Sequence, residues 1–357
     1  EFRHAPPRNA DGGEGGGEAR YEWDFTLTAV VSSSSSASDA IGVIEFDQTD
    51  SLLATGGIAR RIRIYVVEKL AGSDAACEFY MCTPAKLSSL KWKPGSGSRI
   101  LGSGDYDGVV LEHDLERRFP VYERDEHSGR RVWSIDYASE YSSLSVGASA
   151  SDDGTAQMWD ARCDSCDSVA VLKPDPLTRT AICSVEFNPF GGHLVVVGSA
   201  DRRVYGYDVR RMAAPVFKLD GHQKPVTYAK FLDGRTIVSS STDGCLKMWR
   251  PEDLDHPIRT YSGHTNARRF VGLSVWRSGG LLCCGSEDNN VFVYDNRWSN
   301  PIWIRGFEET SNGAQRQSGS DPFVSGVCWR QSSCGETSTL VAGGSDGVLK
   351  VFGGRKR

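Results

Sequence analysis

This chain reads as an all-β protein, a seven-bladed propeller, and three observations carry that reading. An apolar run closed by an aromatic recurs seven times: Ile41–Phe46, Leu87–Trp92, Val132–Tyr137, Ile182–Phe187, Val226–Phe231, Val271–Trp276 and Val324–Trp329. The closing aromatics lie 46, 45, 50, 44, 45 and 53 residues apart. A repeat of about 40–45 residues, rich in short strands, is the span of one four-stranded blade. After each run come a second strand, a tight polar turn, and a third strand ending in an aromatic.

The turns are Ser151-Asp152-Asp153-Gly154, Thr242-Asp243-Gly244, Glu287-Asp288-Asn289 and Ser345-Asp346-Gly347. Asp recurs there because it tolerates the turn backbone and bonds its neighbours. Six residues after the turn Asp stand Trp159, Trp249, Tyr294 and Phe352, and blade four follows suit from Asp201 to Tyr207. Blade two puts His113 in the Trp slot, while blade one has Ala59 in place of Asp and ends in Tyr65. Gly221-His222 and Gly263-His264 precede blades five and six, completing a WD40 signature. Each of these histidines is expected to bond Ser and Asp groups inside its blade.

The third strand of blade seven is expected to end at Phe352, leaving too little chain for a fourth. Residues 21–31 alternate Trp23, Phe25, Leu27 and Ala29 against polar neighbours, a strand pattern. They are expected to supply the outer strand of blade seven, because an open ring would expose unpaired edges. Residues 21–357 thus form a single propeller closed by an N-terminal strand. Residues 1–20 are Gly- and Glu-rich, read as a disordered tail, and begin with Glu1-Phe2, which resembles a cloning scar. Ser32–Ser38 reads as a solvated linker, and 308–320 as a mobile loop that lengthens the last interval.

Composition narrows the function. A net charge of −5 argues against a nucleic-acid footprint, and no stretch is apolar enough to span a bilayer. Ten cysteines without a secretory signal point to reduced thiols inside a cell. Cys163-x-x-Cys166 lacks two further zinc ligands nearby, Cys328 and Cys334 belonging to a distant blade, so a solvated loop is the better reading. Gly343-Gly344-Ser345-Asp346-Gly347 matches a nucleophile elbow, but that motif needs a strand-to-helix turn and here joins two strands. The sequence asks for no catalytic residue, cofactor or metal.

Function then lies on the surface, and departures from the repeat show where. Six residues before each core aromatic stand Ala40, Lys86, Arg131, Ala181, Pro225, Phe270 and Phe323. Four before it stand Gly42, Ser88, Trp133, Cys183, Thr227, Gly272 and Ser325. Before the turn Asp position, blade two alone carries an aromatic, Tyr106. Lys86, Tyr106, Arg131, Trp133 and Phe270 therefore break the pattern, and all should face one end of the central channel. Aromatics flanked by cations are common anchors of a binding hot spot. The implied ligand is an extended peptide whose apolar residues meet the rings and whose acidic or hydroxyl groups meet Lys86 and Arg131. The plainer alternative is that Trp133 merely plugs the channel.

The segments Gly42–Asp47, Ala54–Ile62, Gly198–Asp201, Gly263–Asn266 and Phe270–Leu273 resemble the propeller of the plant constitutive-photomorphogenic ubiquitin ligase and its suppressor-of-phytochrome partners. The opening Glu22–Leu27, without a long N-terminal region, RING or coiled coil, looks more like the repressor of UV-B photomorphogenesis (RUP) family. The resemblance to the ligase propeller and its partners covers about Ile41 to Phe352. It implies that Lys86, Tyr106, Arg131, Trp133 and Phe270 hold Val-Pro peptide motifs of photoreceptors and transcription factors. The likeness to RUP proteins further implies a non-enzymatic negative regulator, which binds the activated UV-B photoreceptor and promotes its return to the inactive dimer. Two departures, Ala267 for an acidic residue and Arg202 or Arg203 for a histidine, are expected to favour more acidic peptides.

Trp159-Asp160-Ala161-Arg162, Tyr207-Asp208-Val209-Arg210 and Tyr294-Asp295-Asn296-Arg297 resemble the motif through which propellers dock on cullin-4 ligase adaptors. The alternative expectation is therefore a substrate receptor of such a ligase, docking through Arg162, Arg210 and Arg297. Arg355-Lys356-Arg357 is a short basic run compatible with nuclear import, so nucleus and cytoplasm are the expected locations.

Overall fold

The computed structural model describes residues 22–32, 39–70, 77–139, 146–160, 168–175, 177–253, 256–307, 321–332 and 336–357. Within them the chain forms seven four-stranded antiparallel sheets. Six follow sequence order from first strand to fourth; blade one is Ile41–Phe46, Leu52–Gly57, Arg61–Val66 and Phe79–Cys82. The expected tail 1–20, linker residues 33–38, loop 308–320, the Cys163/Cys166 pair, Cys334 and Arg162 lie outside the described residues.

The core is divided among seven apolar clusters, one at each junction between neighbouring blades. A blade so placed is covered on both faces, which is why its central strands read as unbroken small or apolar runs such as Val195–Val197. The repeated aromatics fill these junctions and are buried in every blade, as are Tyr65, Trp159, Tyr207, Trp249, Tyr294 and Phe352. His113 in the Trp slot is buried too, and pairs with Ser103 at 3.0 Å.

Blade seven closes as expected. Its sheet runs Val324–Trp329, Thr337–Gly344, Leu349–Lys356, and then Trp23–Val31 on the outside. Trp23 lies opposite Lys356 and Val31 opposite Leu349, with one register slip between Leu27 and Ala29. Phe25 packs on Trp303 and Trp329 with ring centroids 5.2 and 5.9 Å away, and Trp23 meets Trp276 edge-on at 5.3 Å. The third strand is longer than expected, because Gly353–Lys356 stays paired with Trp23–Thr26 instead of trailing off. The C-terminal basic residues help hold this seam: Arg357 pairs with Asp24 at 2.7 Å and Lys356 with Glu22 at 3.7 Å.

The blade histidines match expectation once and depart once. His222 bonds Asp243 at 2.9 Å and Ser239 at 2.7 Å, and the Ser239 hydroxyl also accepts Trp249 Nε1–H at 2.8 Å. His264 instead contacts the Tyr294 hydroxyl at 3.0 Å, because Cys284 occupies the place of that serine. His127, with no preceding glycine to flag it, repeats the blade-five arrangement with Asp153 at 2.8 Å and Ser149 at 2.7 Å.

Burial holds His113 and His264 at a pKa of about 4, below the ordinary 6.5. A depressed histidine stabilises the fold above its unfolded pKa and loses that contribution as pH falls through the folded value. Acidification from about pH 6.5 to 4 is therefore expected to lower stability by roughly 3 kcal/mol per histidine at most. Urea titrations of wild type and His113→Gln check this, since the variant should show a shallower pH slope.

At the end of the channel where the inner strands finish, polar bonds pass from blade to blade. Lys91 Nζ lies 2.8 Å from Glu45 and 3.6 Å from Asp136. The Phe187 amide donates to Asp136 at 2.7 Å and the Phe231 amide to Glu186 at 2.5 Å. Arg277 reaches Glu186 at 3.1 Å, Gln331 donates to the Val275 carbonyl at 2.9 Å, and the Ser332 amide to Asp50 at 2.5 Å. This belt touches all seven blades.

Candidate functional site: the aromatic mouth of the channel

The opposite mouth is organised by backbone bonds that repeat. The Tyr106 amide donates to the Lys86 carbonyl at 2.9 Å, Asp152 to Arg131 at 3.0 Å, and Thr242 to Pro225 at 3.1 Å. In blades two, three, four, five and seven the start of the inner strand is thereby pinned beside the turn between the second and third strands, and in blade six Glu287 reaches the Thr265 carbonyl instead. Both sets of pattern-breaking positions consequently share one rim.

A bulge aims Trp133. The pairing of Val132–Tyr137 with Val146–Ser151 slips between Val132 and Ser134, leaving Trp133 as the extra residue. Bulges bend a strand and redirect the side chain they release. The same slip occurs at Gly42, Ser88, Cys183, Thr227 and Ser325. In blade six Gly272, with φ of 77°, makes the swing instead. Only blade three places a large ring at this address.

The five expected residues come from blades two, three and six, and the structure brings them together. Trp133 and Phe270 stack at 4.3 Å with an interplanar angle of 11°. Blades three and six are not neighbours in the ring, so this pair spans the channel. The Arg131 guanidinium lies 4.5 Å from the Trp133 ring and 4.0 Å from that of Tyr106. Phe270, Trp133, Arg131 and Tyr106 thus form one continuous stack, with Lys86 exposed beside Tyr106. Trp133 Nε1–H donates to Asp152 at 2.5 Å, fixing the indole plane. Plugging and presentation are combined here, since the rings cross the channel and keep part of their surface in solvent.

Arg131 Nε is buried and finds no acceptor among the described residues. A buried donor left unpaired costs free energy, so a ligand carbonyl or carboxylate reaching it gains more than a surface contact would. Burial pushes the thiol of Cys183, at the bulge of blade four, up to about 12, and Asp152 and Asp201 add to the shift.

Sequence reasoning overlooks Tyr228, whose ring meets Phe270 edge-on at 5.8 Å. Its signal is a third register row, Val43, Ser89, Ser134, Ser184, Tyr228, Leu273 and Gly326, where it is the sole aromatic. Tyr228 and Trp133 both line the narrow waist of the channel, a space of about 90 Å³. The loop around Ala267 also receives an acid from the turn of blade six, a contact that no linear spacing encodes. Glu287 accepts the amides of Ala267, Arg268 and Arg269 at 2.9, 2.7 and 2.8 Å. Burial opposes the charge, yet these amides hold the Glu287 carboxyl below its ordinary range. Of the two blade-four arginines, Arg203 is tied to Asp220 at 2.6 Å, leaving Arg202 exposed.

The docking arginines sit differently. Arg210 pairs with Asp208 of its own motif at 2.6 Å. Arg297 pairs with Asp295 at 2.7 Å and with Glu22 of the closing strand at 2.9 Å.

Comparison with known proteins follows the same lines. Residues 139–295 match a family model described as Nucleolar protein 10-like, N-terminal domain, a β-propeller. The chain is 58% identical to the WD repeat-containing protein RUP2 of Arabidopsis thaliana over 335 residues, 90% of this chain and 89% of that protein. The chain belongs to the RUP family. A second Arabidopsis member, RUP1, is 55% identical over 94% of this chain and 86% of its own length. Outside the RUP family, the E3 ubiquitin-protein ligase COP1 of Arabidopsis is 34% identical over 88% of this chain, which spans 45% of that protein.

Proposed function

We propose that this RUP-family propeller is a non-enzymatic negative regulator of UV-B signalling that captures the activated UV-B photoreceptor. The aromatic mouth holds the photoreceptor's C-terminal Val-Pro segment, competing with the related ubiquitin ligase. A second surface orients the photoreceptor core so that monomers re-pair, and two-site binding raises effective concentration without either contact being strong. The observation that carries this reading is the stack of Phe270, Trp133, Arg131 and Tyr106, drawn from three separate blades into one exposed mouth. Apolar Val and Pro side chains fit ring faces, while Arg131 and Lys86 offer donors to flanking acids. Other Val-Pro partners, such as transcription factors, would use the same mouth, in the nucleus and the cytoplasm.

The test is a titration with the activated photoreceptor, intact and lacking its C-terminal tail, against wild type and Lys86→Glu. Intact photoreceptor is expected to bind at least tenfold more tightly than the truncated form, and Lys86→Glu to erase most of that difference. Equal affinity for both forms would remove the basis of the reading. Docking on a cullin-4 adaptor is the second reading; it requires Arg210 or Arg297 to leave the intrachain ion pairs described above.

A further inference from the structure

Blade six departs from most of its neighbours in how it holds its rim residue. In blades two, three, four, five and seven the turn amide donates to the carbonyl six residues before the core aromatic. Examples are Tyr106 to Lys86 at 2.9 Å, Asp152 to Arg131 at 3.0 Å and Ser345 to Phe323 at 2.9 Å. By the same register the Glu287 amide should meet the Phe270 carbonyl. It reaches Thr265 instead, at 2.8 Å, in the loop that leads to Phe270.

The side chain of Glu287 takes over the missing task. Its Oε1 accepts the amides of Ala267, Arg268 and Arg269 at 2.9, 2.7 and 2.8 Å. These are the residues immediately before Phe270, and bonds to a charged acceptor are the stronger kind. The Ser286 hydroxyl fastens the start of the same loop, accepting the Thr265 amide at 2.8 Å and donating to its carbonyl at 3.1 Å. On the other side of Phe270, Val271 is fully buried and its carbonyl accepts the Gly285 amide at 2.9 Å. Phe270 thus sits between a fixed strand and a loop whose last amides share one carboxylate oxygen. Its ring then meets Trp133 at 4.3 Å and Tyr228 at 5.8 Å.

We propose that Glu287 is a positioning residue of the aromatic mouth. It sets the backbone that leads into Phe270, and through it the ring that completes the stack across the channel. Glu287 itself touches no ligand. Its effect on binding rests on the Val-Pro function proposed above; its effect on Phe270 does not.

A double-mutant cycle tests this, with a Val-Pro peptide from the photoreceptor tail as probe and thermal melts as control. Glu287→Ala is expected to weaken the peptide about tenfold, and less than about twofold in a Phe270→Ala background, because residues acting as a unit do not add. Glu287→Gln keeps an acceptor oxygen in place and should stay within about threefold of wild type. A loop cap that only stabilises the fold would lower the Tm without this coupling. In parallel, fluorine NMR of the full chain carrying fluorophenylalanine reads the ring itself, its Phe270 line assigned with Phe270→Leu. That line, displaced by the Trp133 ring, is expected to move toward the free value in Glu287→Ala and to hold in Glu287→Gln. The proposal is overturned if Glu287→Ala binds like wild type, if its cost is the same without Phe270, or if the fluorine line stays in place. Should wild type bind no peptide, the Val-Pro function falls, and the fluorine line alone decides the role of Glu287. Should Glu287→Ala fail to fold, Glu287→Asp, with its shorter side chain, takes its place in both measurements.

Discussion

Trp133→Ala is expected to weaken a Val-Pro peptide from the photoreceptor tail by roughly thirtyfold to a thousandfold, the range of a central aromatic hot spot. The indole is the hub of the mouth, stacking on Phe270 at 4.3 Å, carrying Arg131 at 4.5 Å and bonding Asp152 at 2.5 Å. Its removal leaves Phe270 without a partner across the channel and frees Arg131 from one of its two rings. Stability should hardly change, because Trp133 belongs to none of the interblade clusters. Calorimetric titration paired with thermal melts separates these effects. Unchanged affinity in a well-folded variant would move recognition away from this mouth.

Removing the strand Trp23–Val31 is the most damaging change expected for the fold. It takes Phe25 away from Trp303 and Trp329, takes Trp23 from Trp276, and strips every partner from the outer edge of Leu349–Lys356. Burial of Phe25 and Val31 alone is worth about 1.5–3 kcal/mol each. With the lost pairing, a fall in Tm of roughly 10 °C or more follows, and the bared edge should drive association. Arg297→Ala, by contrast, breaks a partly exposed pair with Glu22 but also strips its cation from the buried Asp295, and should cost about 1–3 kcal/mol. Melting curves and light scattering read both outcomes. If the shortened chain melts like wild type, the strand is ornamental to ring closure.

Most of this architecture was legible because a repeat supplies its own control. Seven aligned registers identify both the core positions and the residues that defy them, so Trp133 and Tyr106 stand out without any relative for comparison. Tyr228 escaped because attention to two registers misses a third, and because its meeting with Phe270 joins neighbouring blades whose contact no linear spacing encodes. His127 escaped for a simpler reason: its role depends on Asp153 and Ser149, not on the residue before it. The longer final strand is a pairing effect, since Gly353–Lys356 has no apolar alternation and is held by the strand it faces. Charge placement was least legible. That Lys91 lies between Glu45 and Asp136 follows from which blade follows which around a closed circle.

The bulge shared by six inner strands separates two demands that usually compete within one β-strand. Flanking positions answer to packing, and a change there disturbs a junction between blades. The released Trp133 keeps part of its surface toward the axis, whereas Ser88, Thr227 and Ser325 spend theirs on backbone carbonyls of their own blade or the next. A mutation at Ser88 or Ser325 also removes a bond to the neighbouring blade, and Cys183 and Thr227 are buried, so Trp133 is the address where the lining changes at least cost to the scaffold. The same bulge thus serves recognition in one blade and ties blade to blade in others.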